Sequence, residues 1–562
     1  MDEAANYPPI DPTSFDLILI GTGLSESVIA AAASAAGKTV LHLDPNPFYG
    51  SHFSSLPLLD FSSYLLSLSS PTTVTASDST VDDVDYVAVD LNTLSLYSDV
   101  EITPTSDELS DLSRKFNLDL VGPRVLLCAD PAVDLILKSG ANQYIEFKSI
   151  DSSFVGDVNG QFSSVPDSRA AIFKDRSLGL MEKNQLMRFF KLVQENFGQN
   201  ASESSENSTV KISEEDLKSP FAEFLSKMKL PQKIKSYTFA LFLVAKKEPN
   251  KCGCMMILYA IAMVDHDQDE LKDCKKMILT KDGLDRLALY SSSVGRFPYA
   301  FGALTYPIYG QGELPQAFCR RAAVKGCIHV LRMPVPAILV DKNDGGYRGV
   351  RLASGQDLFS HRLVLDSTLS FQFPSVSSSQ NSLQESSETL NLRDVKGKVA
   401  RAVCITNGSV KPDVSSFLLV TSVRVLQLGS SLSVCPPDMF VYYISALCDD
   451  ANQGKKMLHA AMNALFASPN SELPEKNSSG ESESTEMRLT VLWSAVYIQE
   501  LTTVSTTSVC SSPMPDQTLN YKDILDATVE LFHKLYPEEE FFPKSTSNEN
   551  NENENNDDDM NS

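Results

Sequence analysis

The chain has 562 residues, with 48 Lys and Arg against 72 Asp and Glu, for a formal net charge of −24. At 42% apolar it is too hydrophobic for wholesale disorder. Its acidity excludes a nucleic-acid binder or a protein docked electrostatically on anionic lipid, since both need a basic face. A domain averages roughly 100–200 residues, so this length calls for several domains or one large domain with insertions.

The first residues, MDEAANYPPIDP, are acidic and Pro-rich, without the basic and apolar stretches of a secretory signal. Residues 15–20 (FDLILI) are an uninterrupted apolar run, which predicts a strand buried on both faces. Gly21-Thr22-Gly23 follows, then an Ala-rich stretch over 25–36 closed by Gly37, which predicts a helix. Residues 39–43 (TVLHL) are a second predicted strand, ending at Asp44. Together they make one right-handed βαβ unit over 15–45, of the FAD- or NAD-binding type. A GxG turn at a helix N-terminus aims N–H groups at a pyrophosphate. Asp44 stands near where an acid would bind a ribose hydroxyl. A flavin or nicotinamide enzyme is therefore one reading. The third fingerprint position opposes it: Glu26 stands where Gly or Ala is needed, adding bulk and charge beside the phosphates. A Rossmann-type scaffold with no cofactor is the expectation.

From about 170 to 289 the pattern changes. Residues 181–197, 221–228, 234–245 and 255–264 carry apolar residues at helix-like intervals, and Pro220 and Pro231 bracket one of these segments. This predicts a helical subdomain inserted into a discontinuous sheet domain. Beyond Gly310 strands return at 337–341, 347–352 and 362–366, the first two joined by a tight turn over 341–346 (DKNDGG). Polar segments at 198–216, 374–391, 468–487 and 545–562 read as loops or insertions. The last holds six acidic residues and no basic one, and reads as a disordered tail. The expected fold is α/β: sheet domain over 1–169, helical subdomain over 170–289, sheet domain again over 290–543, and an acidic tail over 544–562.

No HExxH, GxSxG or P-loop motif occurs, so no catalytic residue is named. The seven His fall at no metal-ligand spacing and the ten Cys form no CxxC pair. The expectation is no metal site, and buried reduced thiols in a cytosolic protein. The longest apolar run, 255–264, is too short to span a bilayer, and the terminal Met560-Asn561-Ser562 is no prenylation box.

Two long motifs carry a more specific signal. Residues 16–27 (DLILIGTGLSES) with 37–50 (GKTVLHLDPNPFYG), and residues 306–320 (YPIYGQGELPQAFCR), resemble conserved regions of the Rab GDP-dissociation inhibitor and Rab escort protein family. Residues 114–150, residues 221–230 (FAEFLSKMKL) and residues 531–543 (LFHKLYPEEEFFP) resemble the escort branch, and the extra length in polar insertions points the same way. The resemblance implies a flavoprotein-like fold without flavin and a non-catalytic accessory subunit. Such a subunit binds unprenylated GDP-Rab and presents its C-terminal cysteines to the α/β heterodimer of Rab geranylgeranyltransferase. It then carries the geranylgeranylated Rab to membranes, touching them transiently. Carried over by position, the Rab-binding residues are Tyr49, Glu313 and Arg320. A groove for the Rab C-terminus falls on Val133, Leu135 and Ile136, and transferase docking on Phe221 and Phe224. The lipid falls in the helical subdomain, with Phe239, Phe242 and Met256 as candidates. By spacing alone the apolar residues among these read equally as helix core. The chain departs from the family pattern at Ser51, where a second Gly is usual, and at 326–330 (GCIHV). The other readings are a Rab GDP-dissociation inhibitor that recycles prenylated Rabs, and a flavin-dependent oxidoreductase.

Overall fold

The computed structural model describes residues 7–70, 72–73, 85–156, 162–165, 169–174, 179–197, 212–228, 230, 256–264, 277–300, 302–371, 394–420, 423–466, 489–503 and 509–543. Two large sheets organise the α/β fold. The first runs in the order Ile328–Leu331, Val40–Asp44, Ser14–Ile20, Asp357–Leu365, Tyr347–Arg351, Ala337–Asp341, Tyr86–Asp90. Its first four strands are parallel, and the hairpin strands beyond them antiparallel.

The apolar run at the start behaves as a doubly buried strand should. Leu17 and Leu19 face one core, and Ile18 and Ile20 the other. Helix Leu24–Ala35 covers the first of these faces. Its Ala30–Ala33 run lets it pack closely between helices Glu313–Val324 and Lys522–Leu535.

The second sheet runs in the order Phe162–Ser164, Ser152–Gly156, Phe417–Val420, Arg424–Gly429, Phe440–Cys448, Asp394–Thr406, Val491–Thr503, Tyr97–Ile102. It is antiparallel except between Ser152–Gly156 and Phe417–Val420. Residues of Asp394–Thr406 alternate between its two faces: Val403 and Ile405 join one core, Ala402 and Cys404 the other. Helix Ala451–Phe466 covers the latter face.

Helices Leu180–Phe197 and Phe221–Lys227, expected from their periodicity, cover the opposite face together with Thr280–Ser293, which was not singled out. Leu186, Phe189, Leu225, Leu284 and Leu287 share one core with Trp493 and Tyr443 of the sheet. Met256–Ile261, expected as an α-helix, is a π-helical turn. Residues 234–245 lie outside the described residues. Within the segment expected as a polar loop over 198–216, a short helix begins at Glu214, capped by Ser213, whose hydroxyl accepts the Asp216 N–H at 3.1 Å. Among the described residues no helix is long and apolar enough to cross a membrane.

Candidate functional site

Tyr49, Glu313 and Arg320 come from two elements that meet over the edge of the first sheet. Tyr49 lies in the loop after Val40–Asp44. Glu313 and Arg320 lie two turns apart on helix Glu313–Val324, whose Leu314, Ala317, Phe318 and Ala322 face the core.

The sequence fixes both elements through tight turns. Gly310 has φ +106°, and a Cβ there would stand 2.4 Å from Ser55 Oγ, so only glycine fits. The Ser55 hydroxyl and the Gln311 N–H both donate to Asp119 Oδ1, at 2.5 and 3.0 Å, and the Tyr306 hydroxyl donates to Asp119 Oδ2. Burial pushes the Asp119 carboxyl up to about 6, against these hydrogen bonds. The 306–320 motif thus clamps the start of the platform helix, and its glycines serve that turn rather than a ligand. Gly50, at φ +109°, donates its N–H to the Thr22 carbonyl at 3.1 Å and to Thr22 Oγ1 at 3.0 Å. That bond ties the Tyr49 loop to the glycine turn.

The three platform residues share one electrostatic neighbourhood. Arg320 is exposed. Burial raises the Glu313 carboxyl and the Tyr49 phenol, and the Arg320 guanidinium opposes both shifts. Tyr49 is half-buried, its ring edge-on to His329 at 6.1 Å. The surface therefore offers an aromatic ring, a hydroxyl, a carboxylate and a guanidinium side by side. Such a set suits charge-assisted hydrogen bonding to a protein partner around an aromatic anchor.

The glycine turn does not suit a dinucleotide. Glu26 is 3% exposed, and its Oε2 lies 2.6 Å from where a Cβ on Gly23 would stand. Asp366 lies against Gly21. Asp44 Oδ2 accepts the Thr22 N–H at 2.8 Å and the Thr22 hydroxyl at 2.6 Å, while Oδ1 accepts the Asn46 N–H at 2.8 Å. Three buried carboxyl groups thus line the place a pyrophosphate would enter. Burial and the Asp366 carboxylate push Glu26 up to about 8, and burial pushes Asp44 up to about 6. Adding phosphate charge to this site is unfavourable, so the residues present do not fit a flavin or nicotinamide cofactor.

The other expected positions lie elsewhere. Helix Pro131–Ser139 buries Val133 and Ile136 in the core with helix Glu313–Val324, leaves Leu135 half-buried and exposes Leu137 at 47%. Val133 and Ile136 therefore hold the helix in place, and its outward apolar edge is Leu135 with Leu137. Phe221 and Phe224 are 0% and 4% exposed. A Cβ on Gly283 would stand 2.4 Å from the Phe221 ring, so Phe221 fills the notch that this glycine leaves between two helices. Core packing, the alternative that spacing left open, is where both phenylalanines sit. Among the described residues of this block, the exposed large apolar side chains are instead Phe173, Leu180, Met181 and Leu279. Phe239, Phe242 and the side chain of Met256 fall outside the described residues. The sequence reading also passed over Tyr309, an exposed aromatic with φ +75° beside the Gly310 turn. Its only sequence signal was its place in the motif.

A family model described as GDP dissociation inhibitor matches residues 11–82 and 80–476. The chain is 52% identical to Rab escort protein 1 of Arabidopsis thaliana over 96% of each chain. It is 25% identical to Rab proteins geranylgeranyltransferase component A 2 of Mus musculus, over 95% of this chain and 97% of that one. Its fold is similar to the crystal structure of a Rab GDI from Plasmodium falciparum, with a TM-score of 0.64 at 18% identity, covering 94% of this chain and 99% of that chain.

Proposed function

The chain belongs to the GDP dissociation inhibitor family, and from that premise we propose that it works as a Rab escort. It binds a newly made GDP-bound Rab GTPase and presents the Rab C-terminal cysteines to the Rab geranylgeranyltransferase α/β heterodimer. It then shields the lipidated product until a membrane receives it. As component A of that system it supplies recognition, and the heterodimer supplies the chemistry.

One observation carries this reading: identity of 52% to an escort protein extends over 96% of each chain, beyond residue 476 where the family model ends. The platform of Tyr49, Glu313 and Arg320 supports it. Its ring and opposite charges suit the polar side chains and backbone of a GTPase switch region. Leu135 and Leu137 give the Rab tail an apolar edge beside the platform helix. Phe173, Leu180 and Met181 offer the heterodimer an exposed apolar surface on the helical block. A twenty-carbon isoprenoid needs apolar shelter from water, and the helical block is the part of the chain suited to give it.

The second family reading is an inhibitor that recycles prenylated Rabs. Size-exclusion chromatography of the full chain with GDP-loaded Rab separates the two. An escort forms a one-to-one complex with unprenylated Rab. Binding of prenylated Rab alone would support the inhibitor reading, and binding of neither form would overturn both.

A further inference from the structure

Beneath Tyr49, His42, Cys319 and His329 come together; His42 bonds the Gly21 carbonyl and Cys319 Sγ lies 3.2 Å from Ser27 Oγ. Strands Val40–Asp44 and Ile328–Leu331 pair in parallel, in a register that sets His42 directly beside His329. Their ring centroids are 5.1 Å apart. Helix Glu313–Val324 crosses the same edge and brings Cys319 to it. One ligand atom from each of His42, Cys319 and His329 lies within 4.8 Å of the other two. Cys327 is adjacent, its Sγ 3.9 Å from His329 Nε2.

His42 is hydrogen-bonded through one ring nitrogen only. Its Nε2 is 2.6 Å from the Gly21 carbonyl oxygen, so that nitrogen carries the hydrogen and donates it. Nδ1 is then a bare lone pair, and it is fully buried with no hydrogen-bond partner. An orphaned buried acceptor is costly, and native structures seldom leave one without a reason. Ligating histidines commonly donate their other ring N–H to a backbone carbonyl, as His42 does here.

We propose that His42, Cys319 and His329 form a binding site for one zinc-like divalent ion, with Cys327 placed to become the fourth ligand. Two imidazoles with thiolate sulfur select zinc over calcium or magnesium, which take oxygen ligands. Binding displaces the Cys319 thiol proton to solvent as the metal–sulfur bond forms. Tetrahedral zinc with bonds of about 2.0–2.3 Å sets its ligand atoms about 3.3–3.8 Å apart. The cluster reaches that geometry if its side chains close in by about an ångström. The ion would lie directly under the platform, since Tyr49 stands edge-on to His329 and Arg320 follows Cys319 in the chain. The site itself does not depend on what docks on Tyr49.

The test uses the full chain, stripped with a chelator and titrated with Co2+, then with Zn2+. One Co2+ per chain is expected, with thiolate-to-cobalt charge transfer and tetrahedral ligand-field absorption, both abolished by one equivalent of Zn2+. Cys319→Ser should remove the charge-transfer band and weaken binding at least tenfold. His329→Gln should weaken binding by a similar factor. Cys448→Ser, a buried thiol on the second sheet, should change neither. X-ray absorption at the zinc edge of the unmutated protein needs no variant, and should show sulfur together with imidazole nitrogen around the ion. No tetrahedral spectrum at one equivalent, a spectrum unchanged in both Cys319→Ser and His329→Gln, or a zinc shell of oxygen and nitrogen alone would each overturn the proposal.

Discussion

Arg320→Ala is expected to weaken binding of GDP-loaded Rab about 10- to 100-fold, the range of an interface hot spot, while leaving the melting temperature unchanged. The side chain is exposed on the outer face of helix Glu313–Val324, so its loss opens no cavity. What it loses is charge-assisted hydrogen bonding, the strong kind, at the point where Tyr49 and Glu313 converge. Tyr49→Ala should cost a similar amount. Tyr49→Phe keeps the ring against His329 and should cost less, because the apolar anchor persists. Calorimetric titration of each variant with GDP-Rab, alongside a thermal melt, checks these expectations. Wild-type affinity in both alanine variants would remove the platform from the account.

Glu26→Gln is expected to stabilise the protein by about 1–3 kcal/mol near pH 8, through proton linkage. Burial and the Asp366 carboxylate push the folded-state Glu26 up to about 8, whereas an unfolded glutamate titrates near 4.5. Between those values the folded state keeps a proton that the unfolded chain releases, so rising pH favours unfolding. Below about pH 4.5 both states are protonated and the cost vanishes. Above about pH 8 both are ionised and the cost is complete. Glutamine fills the space beside Gly23 without the charge. Thermal melts of both proteins at pH 5, 6.5 and 8 should therefore show a gap that opens as pH rises. A constant gap, or a less stable glutamine variant at pH 8, would contradict this description of the glycine turn.

The parts of the fold that the sequence revealed are those settled by local patterning. The FDLILI run, the GxG turn and Gly37 place the first strand and helix within one or two residues, because burial on both faces leaves an unbroken apolar run. The second sheet was hidden by separation along the chain. Asp394–Thr406 pairs with Val491–Thr503, and a polar segment divides them. The capped turn at Ser213 did leave a local signal, a serine three residues before an acid, inside a segment whose composition suggested only loop. At the site, Glu26 already opposed a dinucleotide by its position. Val133, Ile136, Phe221 and Phe224 show the limit of periodicity: it finds the apolar face of a helix, but not whether that face meets solvent or core. His42 and His329 lie too far apart in sequence for any motif, and only strand register brings them together.

The most direct test of the central claim is transfer of labelled geranylgeranyl from its diphosphate to an unprenylated GDP-Rab by the purified transferase α/β heterodimer, with and without this protein. Label should appear on the Rab C-terminal cysteines only when the protein is present, and should fall in proportion to the lost Rab affinity when Arg320→Ala replaces it. Transfer no greater than in the reaction lacking the protein, at concentrations where it binds Rab, would contradict the escort function.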